Sequence, residues 1–354
     1  MNKNSYEVIG VMSGTSLDGV DLALCSFTKI EQWEFSISIA ETIPYSPEWK
    51  NRLKEGIHLS GNSLHKLNQD YTALLANTIC SFIEKHAILN FDAICSHGHT
   101  IHHQPDQSYT LQIGNLPVIA DLIGQQVICD FRVQDVGLEG QGAPLVPIGD
   151  QLLFSDYEYC LNLGGFANIS SEENGTRTAY DICPLNIVLN HFVSKLGLQY
   201  DDKGKLASEG KVDEELLMRL NELDFYQLQA TKSLGYEWVL NTIIPLIDSA
   251  AIKTEDILRT FIEHVAVQIS EVISGKQSKM LVTGGGAYNE FLVSRLNDLS
   301  EVEIVIPSEE ILEYKEALIF GFLGVLKLRS EINVLSSVTG AIKDHSSGKI
   351  YQPK

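Results

Sequence analysis

The stretch VIGVMSGTSLDGVDLALCSF, residues 8–27, decides how the chain is read. Two apolar runs of the buried-strand kind flank the turn Ser13-Gly14-Thr15-Ser16-Leu17-Asp18-Gly19. Glycine lets a backbone enter the positive-φ region and brings N–H groups close to a ligand. Successive N–H groups in such a turn form an anion-binding nest. The hydroxyls of Ser13, Thr15 and Ser16 add donors, and Asp18 adds a carboxylate of the kind that holds Mg2+ directly or through water. The turn reads as a phosphate-binding hairpin. An ordinary hairpin with a polar tip is the alternative, and this stretch alone leaves both open.

The same grammar returns twice. In EYCLNLGGFANIS (158–170) an apolar run meets Gly164-Gly165 and then a second strand, with Asn162 and Asn168 as polar markers. In MLVTGGGAYN (280–289) a short strand meets Gly284-Gly285-Gly286, and a helix starts near Asn289. A bare glycine backbone there gives a nucleotide base and ribose a surface to lie on. Three such turns in this order suggest two related halves that close on a nucleotide.

These pieces run in order with CSHGHTIHHQP (95–105), TLQIGNLPVIA (110–120), DFRVQDVGLEGQGAPLVP (130–147) and SVTGA (337–341) along nearly the whole chain. The order resembles the actin, hexokinase and heat-shock chaperone ATPase superfamily. More closely, it resembles the anhydro-N-acetylmuramic acid kinases, for which MSGTSLDGVD and GQGAPLVP are specific signals. The resemblance implies an α/β, two-lobed actin-like ATPase (ribonuclease H-like) clamshell with its active site in the interdomain cleft. It implies a phosphotransferase with an alcohol acceptor that uses ATP and Mg2+. Such an enzyme opens the 1,6-anhydro ring of anhydro-N-acetylmuramic acid with water and phosphorylates O6, in peptidoglycan recycling. A homodimer is expected on the same ground only.

Carried over residue by residue, the resemblance gives Ser13, Gly14, Thr15, Ser16, Asp18 and Gly19 to the β and γ phosphates, with Asp18 toward the metal. Gly164, Gly165 and Asn168 serve phosphates from the other lobe, and Gly284, Gly285 and Gly286 take the adenosine. His97, Thr100, Asp130, Arg132, Gln141 and Glu316 are expected at the sugar, where an arginine can grip the lactyl carboxylate bidentately. Arg132 paired with Asp130 or Asp135, and Glu316 as a solvated member of the charge run Glu309, Glu310, Glu313, are the plainer readings.

Asp181 is the expected catalytic base. The family's Asp opens an Asp-Thr-Gly-Pro-Gly-Asn motif; here the residues are Asp181-Ile-Cys-Pro-Leu-Asn186. Asp, Pro and Asn match, while Ile182, Cys183 and Leu185 depart. The added bulk is expected to narrow or displace the sugar pocket. As a plain residue, Asp181 reads as the N-cap of a helix starting near Pro184.

His97, His99, His102 and His103 have the spacing of a metal cluster, and an extended backbone would put 97, 99 and 103 on one face. A metal site needs a closed ligand set that no other segment supplies; the resemblance, through SHG-x-T-I-x-H, implies a substrate loop instead. His99 stands where the family often has Gln.

Composition sets the outer limits. A net charge of −20, from 46 acids and 26 bases, disfavours nucleic acid and anionic membrane surfaces as partners. The six cysteines form no C-x-x-C pair and most lie in apolar runs, so buried thiols and a reducing, cytoplasmic setting are expected. The N-terminus lacks a signal-peptide core. The longest clean apolar run, Ala317 to Leu326, is half of what a membrane span needs.

Strands are expected near 7–13, 20–28, 33–40, 93–96, 127–131, 158–163, 166–171, 178–181, 280–284 and 302–306. Helices are expected at 63–86, 213–221, 236–248, 254–273, 289–297 and 309–329. The expected domains are an N-terminal lobe, 1–150, and a C-terminal lobe, 151–330, with the tail 330–354 returning to the first. Two other functions fit the same turns: a related sugar kinase of changed specificity, and a nucleotide-binding regulatory protein that has lost catalysis.

Overall fold

The apolar runs around the first turn become β1 (Ser5–Ser13) and β2 (Gly19–Lys29), antiparallel from Ser5↔Thr28 to Met12↔Asp21. The structure, a computed structural model, describes residues 3–14, 16–228, 232–273, 275 and 278–354. The chain divides into two compact units: Met1–Leu153 with Tyr314–Lys354, and Phe154–Glu313.

In the first unit β1 and β2 continue into β3 (Trp33–Pro44), and β1 pairs in parallel with β4 (Ala93–Gln104). A hairpin joins β4 to β5 (Tyr109–Ile113), and β6 (Val127–Cys129) lies parallel on β4's other side. The tail returns as the strand Lys349–Tyr351, antiparallel to β6. The order is β3-β2-β1-β4-β6 and then the C-terminal strand. The helix Gly61–Lys85 buries Leu67, Tyr71, Leu75, Ile79 and Phe82, the i, i+4 stripe of a helix lying on a sheet. Its partners in that core include Ile9, Val11, Leu22 and Ile94. On the helix Glu309–Leu328, the backbone near Ala317 approaches β1 so closely that a Cβ on Gly10 would stand 1.9 Å from the Ala317 carbonyl oxygen. Only glycine permits that approach.

In the second unit β7 (Tyr159–Leu163), β8 (Phe166–Glu173) and β9 (Thr176–Pro184) form an antiparallel meander. β10 (Lys279–Thr283) lies parallel to β7, and β11 (Glu303–Val305) parallel to β10. The order β9-β8-β7-β10-β11 repeats β3-β2-β1-β4-β6 strand for strand and direction for direction. The pattern likeness of residues 8–27 and 158–171 is thus an equivalence of position. The core of this unit packs Leu161, Val188, Phe192, Phe261, Val265 and Val282 around the long helix Thr254–Val272.

Three of the expected elements differ in ways that a single segment explains. β4 does not stop at Ser96 but carries the histidine stretch to Gln104, with a register shift between Thr100 and His102. β9 continues through Asp181 to Pro184. The helix at 236–248 contains a wider π-helical stretch, Val239–Ile243, just before Pro245, where proline cannot donate the usual backbone bond. Among the described residues, no helix is long and apolar enough to cross a membrane.

Candidate active site

In the first unit the turn after β1 is closed by Leu17 N donating to Gly14 O at 3.4 Å, with Leu17 at φ 61°. Ser16 and Asp18 are exposed, and a Cβ on Gly14 would meet only Ser16 Oγ, at 3.7 Å. Space beside Gly14 is therefore open. Gly19 has another reason to be glycine: its Cβ would stand 2.4 Å from Ile43 O on the neighbouring strand. Thr15 lies outside the described residues.

Ser13 is buried, and its hydroxyl is engaged. It shares hydrogen bonds with Tyr45 OH at 2.6 Å and His99 Nδ1 at 2.8 Å, and Tyr45 OH continues to Tyr71 OH at 2.6 Å. This side chain holds the end of β1 to the layer beneath it. Burial lowers His99 to about 4, so the ring is neutral at pH 7.

The four histidines have four different settings. His97 receives the Arg132 Nε–H on its Nε2 at 2.8 Å, so the ring proton lies on Nδ1, which donates to Gly98 O at 2.9 Å. Burial, helped by Arg132, holds His97 well below the usual histidine range. His102 Nε2 faces Ile57 O, and His103 Nδ1 faces Thr110 Oγ1. Among the described residues no three His, Cys, Asp or Glu side chains converge on a metal position. Thr100 Oγ1 accepts from Gln112 Nε2 at 3.3 Å.

Arg132 is half-buried and anchored at a second point, Nη1 donating to Gly142 O at 2.9 Å. Desolvation lowers it to about 10, against the pull of Glu316 and Asp135. It forms no ion pair with Asp130, whose carboxylate turns to Lys349 Nζ at 2.6 Å. Asp130 is therefore tied to the C-terminal strand rather than presented beside Arg132.

Sequence reasoning gave Asp135 no role beyond a possible partner for Arg132. It is fully buried, takes Gly142 N at 2.6 Å and Thr339 Oγ1 at 2.7 Å, and faces His345 Nε2 at 3.6 Å. A Cβ on Gly140 would strike its carboxylate. It joins GQG to SVTGA, two stretches already singled out, and so sets the carbonyl that holds Arg132. Gln141, exposed, is fixed through its backbone N–H to Thr339 O at 2.8 Å.

Glu316 keeps an open face to solvent, yet enough protein surrounds its carboxyl that desolvation raises it; Arg132 and Lys315 oppose the rise and Asp21 adds to it. Next to it in sequence, Lys315 forms a buried ion pair with Asp150 at 2.7 Å. Glu316 is exposed, as the reading of a solvated charge has it, and it also feels the charge of Arg132.

In the second unit the strand register assembles a polar row: Thr283 opposite Asn162, Asn162 opposite Asn168, and Asn168 opposite Asp181. Directly opposed residues of a sheet point to one face. Gly284, at φ 82°, would put a Cβ 2.5 Å from Asn162 Oδ1, so the triple-glycine turn passes tight against this row. Gly286 packs the same way on Leu163, whereas a Cβ on Gly165 or Gly285 would meet nothing within 4 Å. The carbonyls of Gly164 and Gly165 receive the first amides of the helix Asn186–Ser194, from Leu185, Asn186 and Ile187.

Asp181 does not cap that helix, which starts after Leu185 without a side-chain cap. Its Oδ2 instead accepts from Leu234 N at 2.9 Å and Ser233 Oγ at 3.4 Å. Burial raises its carboxyl above the usual aspartate range, and those two donors hold the rise back. The departures beside it turn their side chains into the core. Ile182, Cys183 and Leu185 are 1%, 0% and 0% exposed and belong to the unit's hydrophobic core.

Two sheets of one plan, each with a glycine turn after its first strand, define the actin-like ATPase fold with ribonuclease H-like halves. Component A of (R)-2-hydroxyglutaryl-CoA dehydratase from Acidaminococcus fermentans is similar over 88% of this chain and 95% of its own, at 15% identity and a TM-score of 0.47. The family model described as anhydro-N-acetylmuramic acid kinase matches residues 6–353. Curated relatives bearing that name include proteins of Mannheimia succiniciproducens, 34% identical over 99% of this chain and 100% of its own, and Haemophilus influenzae, 31% identical over 99% of each. This chain belongs to the anhydro-N-acetylmuramic acid kinase family.

Proposed function

We propose that this chain uses ATP to convert 1,6-anhydro-N-acetylmuramic acid into N-acetylmuramic acid 6-phosphate, with Asp181 as the base. The observation that carries the assignment is the setting of Asp181: a desolvated carboxylate at the end of a polar row, aimed by two donors and spent on no cap. Such a group takes a proton from water as the water oxygen bonds to the anomeric carbon and that carbon's bond to O6 breaks. The released O6 takes the γ-phosphoryl group from ATP, and ADP leaves. Phosphoryl transfer depends mostly on positioning and charge.

The other residues fall into supporting roles. Arg132, held on two sides by His97 and Gly142 O, binds the lactyl carboxylate. Glu316 holds sugar hydroxyls. The turn 14–18 takes phosphate through its backbone, with Ser13 anchoring it from below. Gly164, Gly165 and Asn168 attend the phosphates from the second sheet, and Gly284–Gly286 the adenosine. An exposed Asp18 fits a Mg2+ ion that one carboxylate and the substrate phosphates hold, which is the usual way with this ion. Mg2+ supplies neutralisation of the transferring phosphoryl oxygens.

The test is incubation with Mg-ATP and the anhydro sugar, followed by mass spectrometry. Equal amounts of ADP and a ring-opened, phosphorylated sugar are expected. A chain that binds ATP in calorimetry and leaves the sugar unchanged would contradict the proposal. The setting we infer is the cytoplasm, with the protein acting as a homodimer, which light scattering in solution checks.

A further inference from the structure

We propose that the segment Lys232-Ser233-Leu234-Gly235 is a positioning strap for Asp181, one that fixes its aim and holds its charge. The inference rests on Asp181 being the base. It begins from topology. Among the described residues β9 is the edge strand of its sheet and its outer backbone groups have no strand partner, and such edges are normally covered or blunted. Among the described residues, the strap supplies the cover at the acid. Asp181 N donates to Lys232 O at 3.0 Å, Leu234 N donates back to Asp181 Oδ2 at 2.9 Å, and Ser233 Oγ adds a longer contact of 3.4 Å to the same oxygen. The backbone and the side chain of one residue are thus gripped from the same three-residue segment.

The strap has its own anchor. The Lys232 ammonium lies 4.7 Å from the ring centre of Phe225 and 5.8 Å from that of Tyr226, and donates to Phe225 O at 3.4 Å. Tyr226 OH meets His264 Nε2 at 2.9 Å, and His264 Nδ1 meets Asn221 Oδ1 at 2.6 Å, inside the buried layer. Lys232 O is thereby fixed relative to the core, and with it the position of Asp181 N.

The grip does two things for a base. Both donors are neutral, so they favour the ionised carboxylate without the strong neutralising pull of an ion pair, and the oxygen stays basic. Both fall on Oδ2, which leaves Oδ1 as the oxygen to face water. Because the second contact is long for a hydroxyl donor, the Leu234 amide is the main determinant and Ser233 the lesser one.

The experiment compares Leu234→Pro, which deletes the amide donor, with Leu234→Ala, which keeps it, and Ser233→Ala with Ser233→Thr. Each is assayed with Mg-ATP and the anhydro sugar across pH, alongside Asp181→Asn. Loss of a hydrogen bond to a charged group raises a carboxyl by about one pH unit. Leu234→Pro should therefore move the acidic limb of kcat upward by about one unit and lower kcat about tenfold, with KM for both substrates nearly unchanged. Leu234→Ala should match wild type. Ser233→Ala should move the limb the same way by less, and Ser233→Thr should restore it. An unmoved limb in both Leu234→Pro and Ser233→Ala, while Asp181→Asn is inactive, overturns the strap and leaves the base standing. An active Asp181→Asn overturns both. If Leu234→Pro fails to fold by circular dichroism, the Ser233 pair decides alone.

Discussion

Asp181 and Glu316 are acids under the same pressure with different counterweights. Desolvation raises both carboxyls. Asp181, in the second unit, is restrained only by neutral donors, the Leu234 amide and the Ser233 hydroxyl. Glu316, in the first, is restrained by cations, chiefly Arg132. Neutral donors aim a carboxylate and leave it able to take a proton. A nearby cation holds it ionised and makes it a better hydrogen-bond acceptor than base. The contrast is the ground on which we propose proton transfer for Asp181 and sugar binding for Glu316, although either acid, seen alone, has the raised carboxyl that marks a functional site.

The largest effect that can break the contrast is on turnover. A positioned general base contributes about 10²–10⁴-fold, so Asp181→Asn should lower kcat by that order and leave ATP and sugar affinities nearly unchanged in calorimetry. Stability should move the other way. A carboxyl raised on folding contributes most below its unfolded value, and that contribution is lost as pH climbs through the raised folded value. At neutral pH the Asn variant should melt at or above the wild-type temperature.

The second effect concerns what stands behind Asp181. Restoring the family's Thr and Gly through Ile182→Thr, Cys183→Gly and Leu185→Gly would, on motif grounds, relieve a crowded pocket. The three side chains instead fill the core. Emptying the Leu185 position alone should cost about 2–5 kcal/mol. Denaturant melts should show that loss, and kcat/KM should not rise.

On the Glu316 side, Arg132→Met removes the cation that restrains the acid and the group assigned to the lactyl carboxylate. A lost charged hydrogen bond of about 1.5–3 kcal/mol corresponds to roughly a 10–100-fold rise in the sugar KM. ATP affinity should stay constant, and sugar binding should become more sensitive to pH because Glu316 protonates more readily.

The smallest effect is at the first turn. Space beside Gly14 is open in the protein, so Gly14→Val should fold normally by circular dichroism. It should still weaken ATP several-fold in calorimetry, by standing where phosphate approaches. Unchanged ATP affinity would remove the turn from the phosphate site.

The fold was legible because its signals are local. Apolar runs broken by glycine turns mark β1, β2, β7, β8 and β10, and the helix stripe Leu67, Tyr71, Leu75 announces itself by period. What joins the site is not local. Asp181 meets Leu234 across 53 positions and Asp135 meets Thr339 across 204; no periodicity reports such pairs. The histidine spacing suits a ligand set, yet strand pairing and tertiary contacts send each ring to a different partner, which spacing does not report. That the side chains at 182, 183 and 185 lie in the core is equally hidden, because a motif alignment does not say which way a side chain points. Gly19 shows the same limit, since its packing against Ile43 O is invisible in the turn's own residues.

The most direct test of the account is the pH dependence of kcat in wild type, Asp181→Asn and Glu316→Gln with Mg-ATP and the anhydro sugar. The account predicts an acidic limb above the ordinary aspartate range that persists in Glu316→Gln, where the sugar KM rises. Asp181→Asn should lose the limb together with most of the turnover. A limb that disappears in Glu316→Gln and survives in Asp181→Asn would contradict the assignment and make Glu316 the base.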